Sequence, residues 1–205
     1  NYLFHMIDAE ISKRQKYYSK NGGDFAADVR KGSSVFPNII VIIHGIEVFR
    51  ETFSVLYDET LGSITRSCFK YGIDFVVTST TTSGLSYALE NNFPQTIMLN
   101  VNDPSEYEGY FSEKMVPSKN PGRGLLNIES GCVEFQTALS FEEEKEQDAI
   151  NFVIDKLLQL FPNKAPEVPI VPKHLHFSSI KQLITDFYNV PIGVNTVTAQ
   201  YEYFD

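Results

Sequence analysis

Few residues of this sequence stand in a pattern that could support chemistry, and the first such pattern surrounds a serine. Gly84-Leu85-Ser86-Tyr87-Ala88 approximates the G-x-S-x-G turn that exposes a nucleophilic serine, and His174 or His176 could supply a base. The two histidines could instead bind a metal, since alternate residues of a strand share a face. Ser86, however, lies well past the end of the preceding predicted strand, and no acid or cysteine supports either histidine. The pattern therefore favours neither hydrolysis nor a metal site.

A second pattern is a histidine that directly follows the most apolar run of the chain. Ile39-Ile40-Val41-Ile42-Ile43 is followed by His44-Gly45. Buried parallel strands present functional groups just past their carboxyl ends, and in P-loop ATPases the Walker B carboxylate at that place holds the water shell of Mg²⁺. A neutral imidazole is a poor ligand for a cation that prefers oxygen. Two interpretations stay open: a degenerate nucleotide site, or a hydrogen-bonded residue at a strand end.

The phosphate-binding loop of such ATPases, G-x-x-x-x-G-K-[ST], does not occur in the sequence. Lys31-Gly32-Ser33 has similar letters in the wrong order, without the first glycine or a preceding strand. Without the backbone N–H groups and the lysine of that loop, the β- and γ-phosphates of ATP have no cradle. We therefore expect this chain to have no catalytic residue, no cofactor and no metal site of its own, and not to hydrolyse ATP by itself.

The elements that must position His44 alternate between strands and helices. An amphipathic helix is predicted to end at Asn21-Gly22-Gly23, and the apolar run Ile39–Ile43 predicts a strand buried on both faces. Two more strands are predicted at 73–78 and 96–101, with helices over 47–69 and 83–92 between the strands. Strand, helix, strand, helix, strand indicates an α/β fold built on three parallel strands.

After Asp103 the pattern changes. Pro121-Gly122-Arg123-Gly124 reads as a turn, and the runs 125–128 and 132–138 predict an antiparallel β-hairpin at a sheet edge. Ser140 and Glu143 then form a capping box that begins a helix. Its apolar face is expected to pack in the core: Ile150, Val153, Ile154, Leu157, Leu158 and Phe161.

The composition limits the partners of the chain. The 205 residues include 17 Lys and Arg against 26 Asp and Glu, and the resulting net charge of −9 repels phosphate backbones. The basic cluster Lys13-Arg14-Gln15-Lys16 lies on one predicted helix, so nucleic acid is not expected as a direct partner. The longest apolar run, five residues, is far shorter than the ~20 residues of a membrane span.

Two further features concern the cellular setting. Cys68 and Cys132 are expected to be buried thiols in a reducing compartment, because two cysteines are too few for a disulfide framework. The first residues, Asn1-Tyr2-Leu3-Phe4, include no initiator methionine and no basic segment of a signal peptide. This beginning of the sequence predicts that the chain is a segment of a longer protein.

Taken in order, the residues resemble a known family. The chain is similar, over most of its length, to the FtsK/SpoIIIE-type ATPase modules of the type VII secretion proteins EssC and EccC. The segments that carry the resemblance follow the family's order: Lys13-Arg14-Gln15, 37–45, Arg66, 71–79, 103–107, 121–124 and 134–138. The last three, in that order and spacing, are fairly specific to these secretion ATPases.

The resemblance implies a fold and a division of the chain. The fold would be a RecA-like P-loop NTPase, an α/β three-layer sandwich that is partly truncated, with a parallel central sheet and an antiparallel edge hairpin. Residues 1–161 would form the C-terminal part of a degenerate module, 162–189 a Pro-rich linker and short helix, and 190–205 the opening strand of the following module.

The resemblance also assigns roles to single residues. His44, followed by Gly45, stands at the position of the Walker B aspartate, and the imidazole departs from the family pattern. Thr78 and Ser79 stand at the strand end where related ATPases sense the γ-phosphate.

The resemblance also makes Arg66 and Arg123 the candidates for contact with a neighbouring module. The alternative interpretation is that Arg66 pairs with a nearby carboxylate and that Arg123 forms a turn.

The family's role implies what this chain takes part in. Its members are membrane-anchored motors with tandem ATPase modules on the cytoplasmic side of the bacterial cell membrane, and they export small helical WXG100-type proteins. A module with a failed Walker B position fits a regulatory or substrate-docking role. Its partners would be neighbouring modules and secreted proteins, without direct membrane contact, in a hexameric parent that uses ATP and Mg²⁺. The alternative is a module of a DNA-translocating FtsK-like motor, which needs basic loops facing its pore.

Overall fold

The computed structural model describes residues 2–111, 114–139, 145–162, 168, 170–184, 189–196 and 199–204. The chain forms two compact units. The first comprises Asn1–Asn92 together with Glu167–Asp205, and the second comprises Phe93–Pro166. Within the described ranges, no helix combines the length and the apolar composition that crossing a membrane requires.

The first unit alternates helices and strands in the predicted order. Its elements up to Asn92 are α1 (Tyr2–Asn21), α2 (Phe25–Arg30), β1 (Ile39–Ile43), α3 (Ile46–Thr52), a π-helical turn (Leu56–Leu61), α4 (Gly62–Thr65), a 3₁₀ turn (Cys68–Tyr71), β2 (Ile73–Val77) and α5 (Tyr87–Glu90). The helix predicted over 47–69 is therefore interrupted, and the helix predicted over 83–92 is reduced to four residues.

The two strands of this unit are parallel and paired along their whole lengths. In β1, Val41 and Ile43 are buried, whereas Ile40 and Ile42 are 62% and 68% exposed. The prediction that β1 is buried on both faces is therefore wrong for the described residues. Alternating burial means that the described part of the unit covers one face of this sheet, although parallel sheets are usually covered on both.

A buried arginine joins α1 to the turn that precedes β2. Arg14 has no exposed surface. Its Nη1 donates to the carbonyl oxygen of Tyr71 at 2.7 Å and to that of Gly72 at 3.4 Å. Its Nε donates to the Glu10 carboxylate at 2.9 Å, and its guanidinium lies 5.0 Å from the centre of the Phe36 ring. The second residue of the basic cluster is thus a structural anchor, because a buried charge requires partners.

The two cysteines are buried, as predicted. Burial raises the pKa of the Cys68 thiol to about 11, so this group stays protonated at neutral pH. Cys132 lies in the core of the second unit.

The second unit contains an antiparallel sheet with its own core. Its strands β3 (Ile97–Leu99), β4 (Arg123–Ile128) and β5 (Gly131–Gln136) are arranged in the order β3-β4-β5, and a 3₁₀ helix (Pro104–Gly109) follows β3 in the chain. The predicted hairpin is confirmed as β4 and β5. The core consists of Met98, Tyr107, Phe111, Leu125 and Cys132.

The third strand predicted for the parallel sheet belongs to this antiparallel sheet. The prediction placed 96–101 parallel to the first two strands, but β3 runs antiparallel to β4, with Met98 opposite Leu125. The contact depends on Gly124, where a Cβ would lie 2.6 Å from the Met98 carbonyl oxygen. Only glycine permits this close approach of the two backbones. The strand β3 therefore forms its hydrogen bonds with β4, whereas the sequence pattern predicted a parallel strand as its neighbour.

The long helix of the second unit is confirmed, but its packing is not. α6 (Glu146–Leu160) has no buried residue. The six residues of the predicted core face are between 36% and 67% exposed: Ile150, Val153, Ile154, Leu157, Leu158 and Phe161. The prediction that this face packs in the core is wrong within the described residues. Helical periodicity is a local property, whereas the partner of an apolar face is set by tertiary structure.

The last described segments belong to the first unit. They are α7 (Phe177–Ile180), a 3₁₀ turn (Lys181–Leu183), and the antiparallel strands β6 (Val190–Val194) and β7 (Tyr201–Phe204). The capping box of Ser140 and Glu143 lies outside the described residues, as do 163–167 and 169 of the Pro-rich segment. The boundaries 1–161, 162–189 and 190–205 stay predictions.

Candidate functional site at the ends of two parallel strands

The carboxyl ends of β1 and β2 bring together two of the residues predicted from the sequence. Since the strands are parallel and in register, His44 follows β1 beside the point where Thr78 follows β2. His44 Nδ1 lies 2.9 Å from Thr78 Oγ1, and the backbone N–H of Gly45 donates to the same oxygen at 3.0 Å. The proton of the Thr78 hydroxyl is therefore available for His44. The imidazole is a hydrogen-bonded residue at a strand end.

The backbone around His44 is set by Gly45, whose φ of 71° is left-handed. Glycine adopts this conformation without strain, so the chain turns from β1 directly into α3. The hydrogen bonding of the strands continues past their ends: Thr78 N–H donates to the Ile43 carbonyl and Ile46 N–H donates to the Thr78 carbonyl, both at 3.0 Å. The site is thus built on a strand-to-helix turn that is hydrogen-bonded to the neighbouring strand end.

A residue that the sequence analysis missed lies at the centre of the site. Glu47, in the first turn of α3, holds the loop after β2 through one carboxylate oxygen. Its Oε1 accepts from Ser79 Oγ at 2.7 Å and from the backbone N–H groups of Thr80 at 2.9 Å and Thr81 at 3.2 Å. The hydroxyls of the same two threonines lie at 3.2 and 3.3 Å. Ser79 is therefore a partner of Glu47, not of His44.

The sequence contains a signal that could have identified Glu47. It is an acidic residue in the first turn of a helix that follows an apolar strand, and a run of hydroxyl residues, Thr78 to Ser83, follows the next parallel strand. Parallel strands place these two segments side by side. The position of Glu47 alone gives no such signal, because acids in a first helical turn usually serve the helix dipole.

The hydrogen bonds change the acidity of this carboxylate. The Ser79 hydroxyl, together with backbone N–H groups, stabilises the charged form and lowers the pKa of Glu47 from 4.5 to about 2. The side chain is therefore ionised across the physiological range.

Acidification is expected to destabilise the chain through Glu47. The unfolded state, with a carboxyl pKa near 4.5, takes up a proton before the folded state with a pKa of about 2. The stabilisation is thus fully present above the unfolded pKa and is lost as the pH falls towards 2. Urea unfolding at several pH values should show that the difference in unfolding free energy between the chain and Glu47→Gln shrinks on acidification. If the difference in unfolding free energy does not depend on pH, the lowered pKa of Glu47 in the folded chain is contradicted.

The loop after β2 is closed tightly around Glu47. A Cβ at Gly84 would lie 2.1 Å from Ser79 Oγ and 3.1 Å from Glu47 Oε1, so a larger residue there would displace the Ser79 hydroxyl from Glu47. The Tyr57 hydroxyl donates to the Gly84 carbonyl at 3.3 Å and accepts the backbone N–H of Ser86 at 2.8 Å. These contacts give the loop a second point of attachment, to Tyr57.

The serine pattern does not assemble a hydrolytic site. Ser86 precedes α5, and its described role is the backbone contact with Tyr57. His174 and His176 are both exposed. The described residues also contain no group of three His, Cys, Asp or Glu side chains that could hold a metal ion.

The two candidate arginines lie in different units. Arg66 follows α4 in the first unit, is exposed, and takes part in none of the ion pairs found among the described residues. Arg123 begins β4 in the second unit, and its Nη1 lies 3.6 Å from Glu134 Oε1. The structure thus gives Arg123 a partner across the hairpin, and the predicted contact with a neighbouring module stays a prediction for both.

An apolar groove lies beside His44. The carboxyl half of β1 forms one wall, and the other residues come from α1, α3 and the position after α3: Leu3, Phe4, Val48, Phe49, Thr52 and Phe53. Val48 is 66% exposed and Phe53 is 47% exposed, while the rings of Phe4 and Phe49 pack at a tilt of 45° with their centres 5.8 Å apart. Exposed apolar surface of this kind is typical of a place where another polypeptide packs.

The residues at the strand ends do not fit Mg²⁺–ATP. The residue that follows β1 is His44, not a carboxylate, and its Nδ1 is engaged by Thr78. The acid in the first turn of α3, Glu47, has one carboxylate oxygen surrounded by donors of the chain itself. Mg²⁺ prefers oxygen ligands and several coordinated waters, and the imidazole supplies neither a ligand of this kind nor a negative charge.

Neither a protein-family model nor a curated protein sequence matches the chain. Solved structures do match it. EssC (ATPases 2 and 3) from Geobacillus thermodenitrificans aligns with a TM-score of 0.75 at 19% identity, over 98% of this chain and 40% of that chain. Thermomonospora curvata EccC (ATPases 2 and 3), solved in complex with a signal sequence peptide, aligns with a TM-score of 0.72 at 20% identity, over 98% and 38%.

The cytoplasmic domain of the T. curvata type VII secretion ATPase EccC also aligns, with a TM-score of 0.70 at 19% identity, over 98% of this chain and 25% of that chain. The chain therefore has the α/β fold of EssC and EccC ATPase domains, and the resemblance and the fold class predicted from the sequence are confirmed. It spans between a quarter and two fifths of the length of these three structures.

Proposed function

We propose that this chain is one module of a type VII secretion ATPase of the EssC/EccC kind, since its fold is that of their ATPase domains over 98% of its length. This shared fold is the observation that carries the proposal. The parent protein is then an ATPase that binds ATP and Mg²⁺ at other modules and is anchored in the bacterial cell membrane. This module would face the cytoplasm within a hexameric assembly.

Within such a motor, the module regulates or docks instead of hydrolysing ATP. Two observations support this role. His44 stands where a magnesium-side carboxylate is needed, and it is held by Thr78. The loop after β2, where related ATPases sense the γ-phosphate, is bound to Glu47. Both groups are already engaged within the chain, so neither is free for nucleotide.

The groove beside His44 supports a docking role. Its walls are apolar, and exposed apolar side chains suit the packing of an amphipathic helix. EccC of T. curvata was solved with a signal sequence peptide bound. By analogy, the ligands proposed for this chain are WXG100-type secreted proteins or a neighbouring module.

Calorimetry is expected to detect no binding of Mg²⁺–ATP tighter than about millimolar, because the phosphates lack a cradle of N–H groups and lysine. The chain should also show no ATP turnover, and His44→Asp should not restore it, since the lysine is still missing. Micromolar affinity for the chain, or a measurable rate for His44→Asp, would contradict the proposed non-hydrolytic role.

Docking is tested with a fluorescent signal-sequence peptide of a WXG100-type protein from the same cell. Placing a charge in the groove by Val48→Asp should weaken binding about tenfold or more, because a buried unpaired charge costs several kcal/mol. Val35→Asp is the matched control, since Val35 is similarly exposed, at 60%, but does not line the groove. If both variants lose the same peptide affinity, or if the unchanged chain does not bind the peptide, the groove is not the docking site.

The alternative, a module of a DNA-translocating motor, predicts a different result. A translocase binds duplex DNA through basic loops, whereas this chain carries a net charge of −9. Electrophoretic mobility shifts at low salt distinguish the two functions, and tight duplex binding by the chain would favour translocation.

A further inference from the structure

The hydrogen bonds of Thr78 decide which nitrogen of the His44 imidazole carries its proton. Thr78 Oγ1 accepts the backbone N–H of Gly45 at 3.0 Å, and its own hydroxyl has one proton to donate. In the described part of the chain, the acceptor for that proton is His44 Nδ1, at 2.9 Å. Because Nδ1 accepts, the neutral ring carries its proton on Nε2. The strand ends therefore present His44 as a hydrogen-bond donor.

This donor is available to a ligand. His44 is exposed, and among the described residues its one hydrogen-bond partner is Thr78, at Nδ1. The N–H group at Nε2 is not used by the described part of the chain. His44 also lines the apolar groove beside the strand ends. A helix that occupies the groove would therefore meet an N–H donor at the end of β1.

The other residues of the groove offer a ligand little polar contact. Of the ten described residues that line the groove, eight are apolar, and the other two are His44 and Thr52. None of the ten is Lys, Arg, Asp or Glu, and the whole chain carries a net charge of −9. A ligand carboxylate would lose its water here without meeting a Lys or Arg side chain. A neutral acceptor oxygen therefore fits this donor better than a carboxylate does.

From these contacts we infer that His44 is a specificity-determining residue of the groove. Its Nε2–H selects amphipathic helices whose apolar face contains a neutral acceptor, such as the side-chain oxygen of a glutamine or an asparagine. A wholly apolar ligand would cover Nε2–H and leave it without a partner, which opposes binding. Thr78 is a positioning residue, because it keeps the proton on Nε2. The inference rests on the proposed docking of a helix in the groove and adds the chemistry of that helix.

The binding test uses two designed helical peptides that differ at one position. Both carry the pattern Leu-x-x-Leu-Z-x-x-Leu on one face, where x is alanine or lysine and Z is glutamine or methionine. Methionine has a shape similar to that of glutamine but lacks its acceptor oxygen. The ratio of the methionine to the glutamine dissociation constant, from fluorescence anisotropy, should be about fivefold larger for the unchanged chain than for His44→Leu, which has no donor.

His174→Leu is the matched control, because His174 is exposed and does not line the groove. It should keep the ratio of the unchanged chain. If His44→Leu also keeps that ratio while Val48→Asp weakens both peptides, the groove docks helices and the inference about His44 is wrong. If neither peptide binds the unchanged chain, the docking role of the groove and the inference fail together.

A spectroscopic measurement tests the inference without any ligand. The ¹⁵N chemical shifts of the two ring nitrogens, recorded at about pH 8, should show an unprotonated Nδ1 and a protonated Nε2 for His44. Thr78→Val keeps the shape of the side chain but removes the hydroxyl, so it should shift the ring towards a mixture of tautomers and lower the peptide ratio. A proton on Nδ1 in the unchanged chain would overturn the inference. This measurement remains decisive if His44→Leu does not fold.

Discussion

Replacing Arg14 with leucine is expected to lower the free energy of unfolding by about 2–4 kcal/mol. The substitution leaves the carbonyl oxygens of Tyr71 and Gly72 without their buried donor and leaves the Glu10 carboxylate without its closest cation. One nitrogen of the guanidinium, Nη2, is buried without a hydrogen-bond partner among the described residues, which keeps the loss below that of a fully satisfied arginine. Urea unfolding followed by circular dichroism measures the change.

Lys13→Ala is the matched control for this prediction. Lys13 pairs with the same glutamate at 3.0 Å, but its side chain is 63% exposed. Exposed ion pairs contribute about 0–1 kcal/mol, so the control should lose much less stability than Arg14→Leu. Equal losses in the two variants would show that the buried carbonyl contacts of Arg14 contribute nothing.

The Arg14 contacts matter for the candidate site because of where they lie. Tyr71 and Gly72 form the turn that leads into β2, and the Gly72 carbonyl accepts the N–H of Ile39 at 2.9 Å, at the start of β1. One arginine therefore fixes the amino ends of both parallel strands. Their register sets where His44 and Thr78 emerge at the opposite ends, so loss of Arg14 should also weaken the contact between these two residues.

Gly72→Ala is expected to destabilise the chain by about 2–4 kcal/mol, for two reasons that add. Gly72 has a φ of 70°, which strains any residue with a Cβ, and a Cβ there would lie 2.5 Å from the Phe25 ring. The ring is buried and belongs to α2, so it cannot move aside without disturbing the packing of that helix. Thermal and urea unfolding should both report the loss.

Gly22→Ala separates the two reasons. Gly22 has nearly the same φ, 72°, but nothing lies within 4 Å of the Cβ position. This variant should therefore lose only the stability that the left-handed φ costs a residue with a Cβ, about 1 kcal/mol. If Gly72→Ala and Gly22→Ala lose the same stability, the contact with Phe25 has no energetic effect and the packing argument is wrong.

Several features could be predicted from the sequence because they depend on neighbouring residues. The apolar run of β1, the end of α1 at Gly22, the β4–β5 hairpin around Gly131 and the helical period of α6 all follow from patterns within a few positions. The motifs in their order also indicated the family whose fold the chain has. His44 and Thr78 could be placed together since parallel strands end side by side.

Tertiary structure decided the rest. β3 pairs with β4 because Gly124 admits its backbone, a fact about two segments that are about 25 residues apart. Ser79 belongs to Glu47, across 32 positions of the chain, because α3 turns its first residues over the end of β2. Local patterns reveal which faces are apolar and which groups can form hydrogen bonds. Contacts between residues that are distant in the sequence decide which of these faces and groups meet. The exposed faces of β1 and α6 demonstrate the same limit.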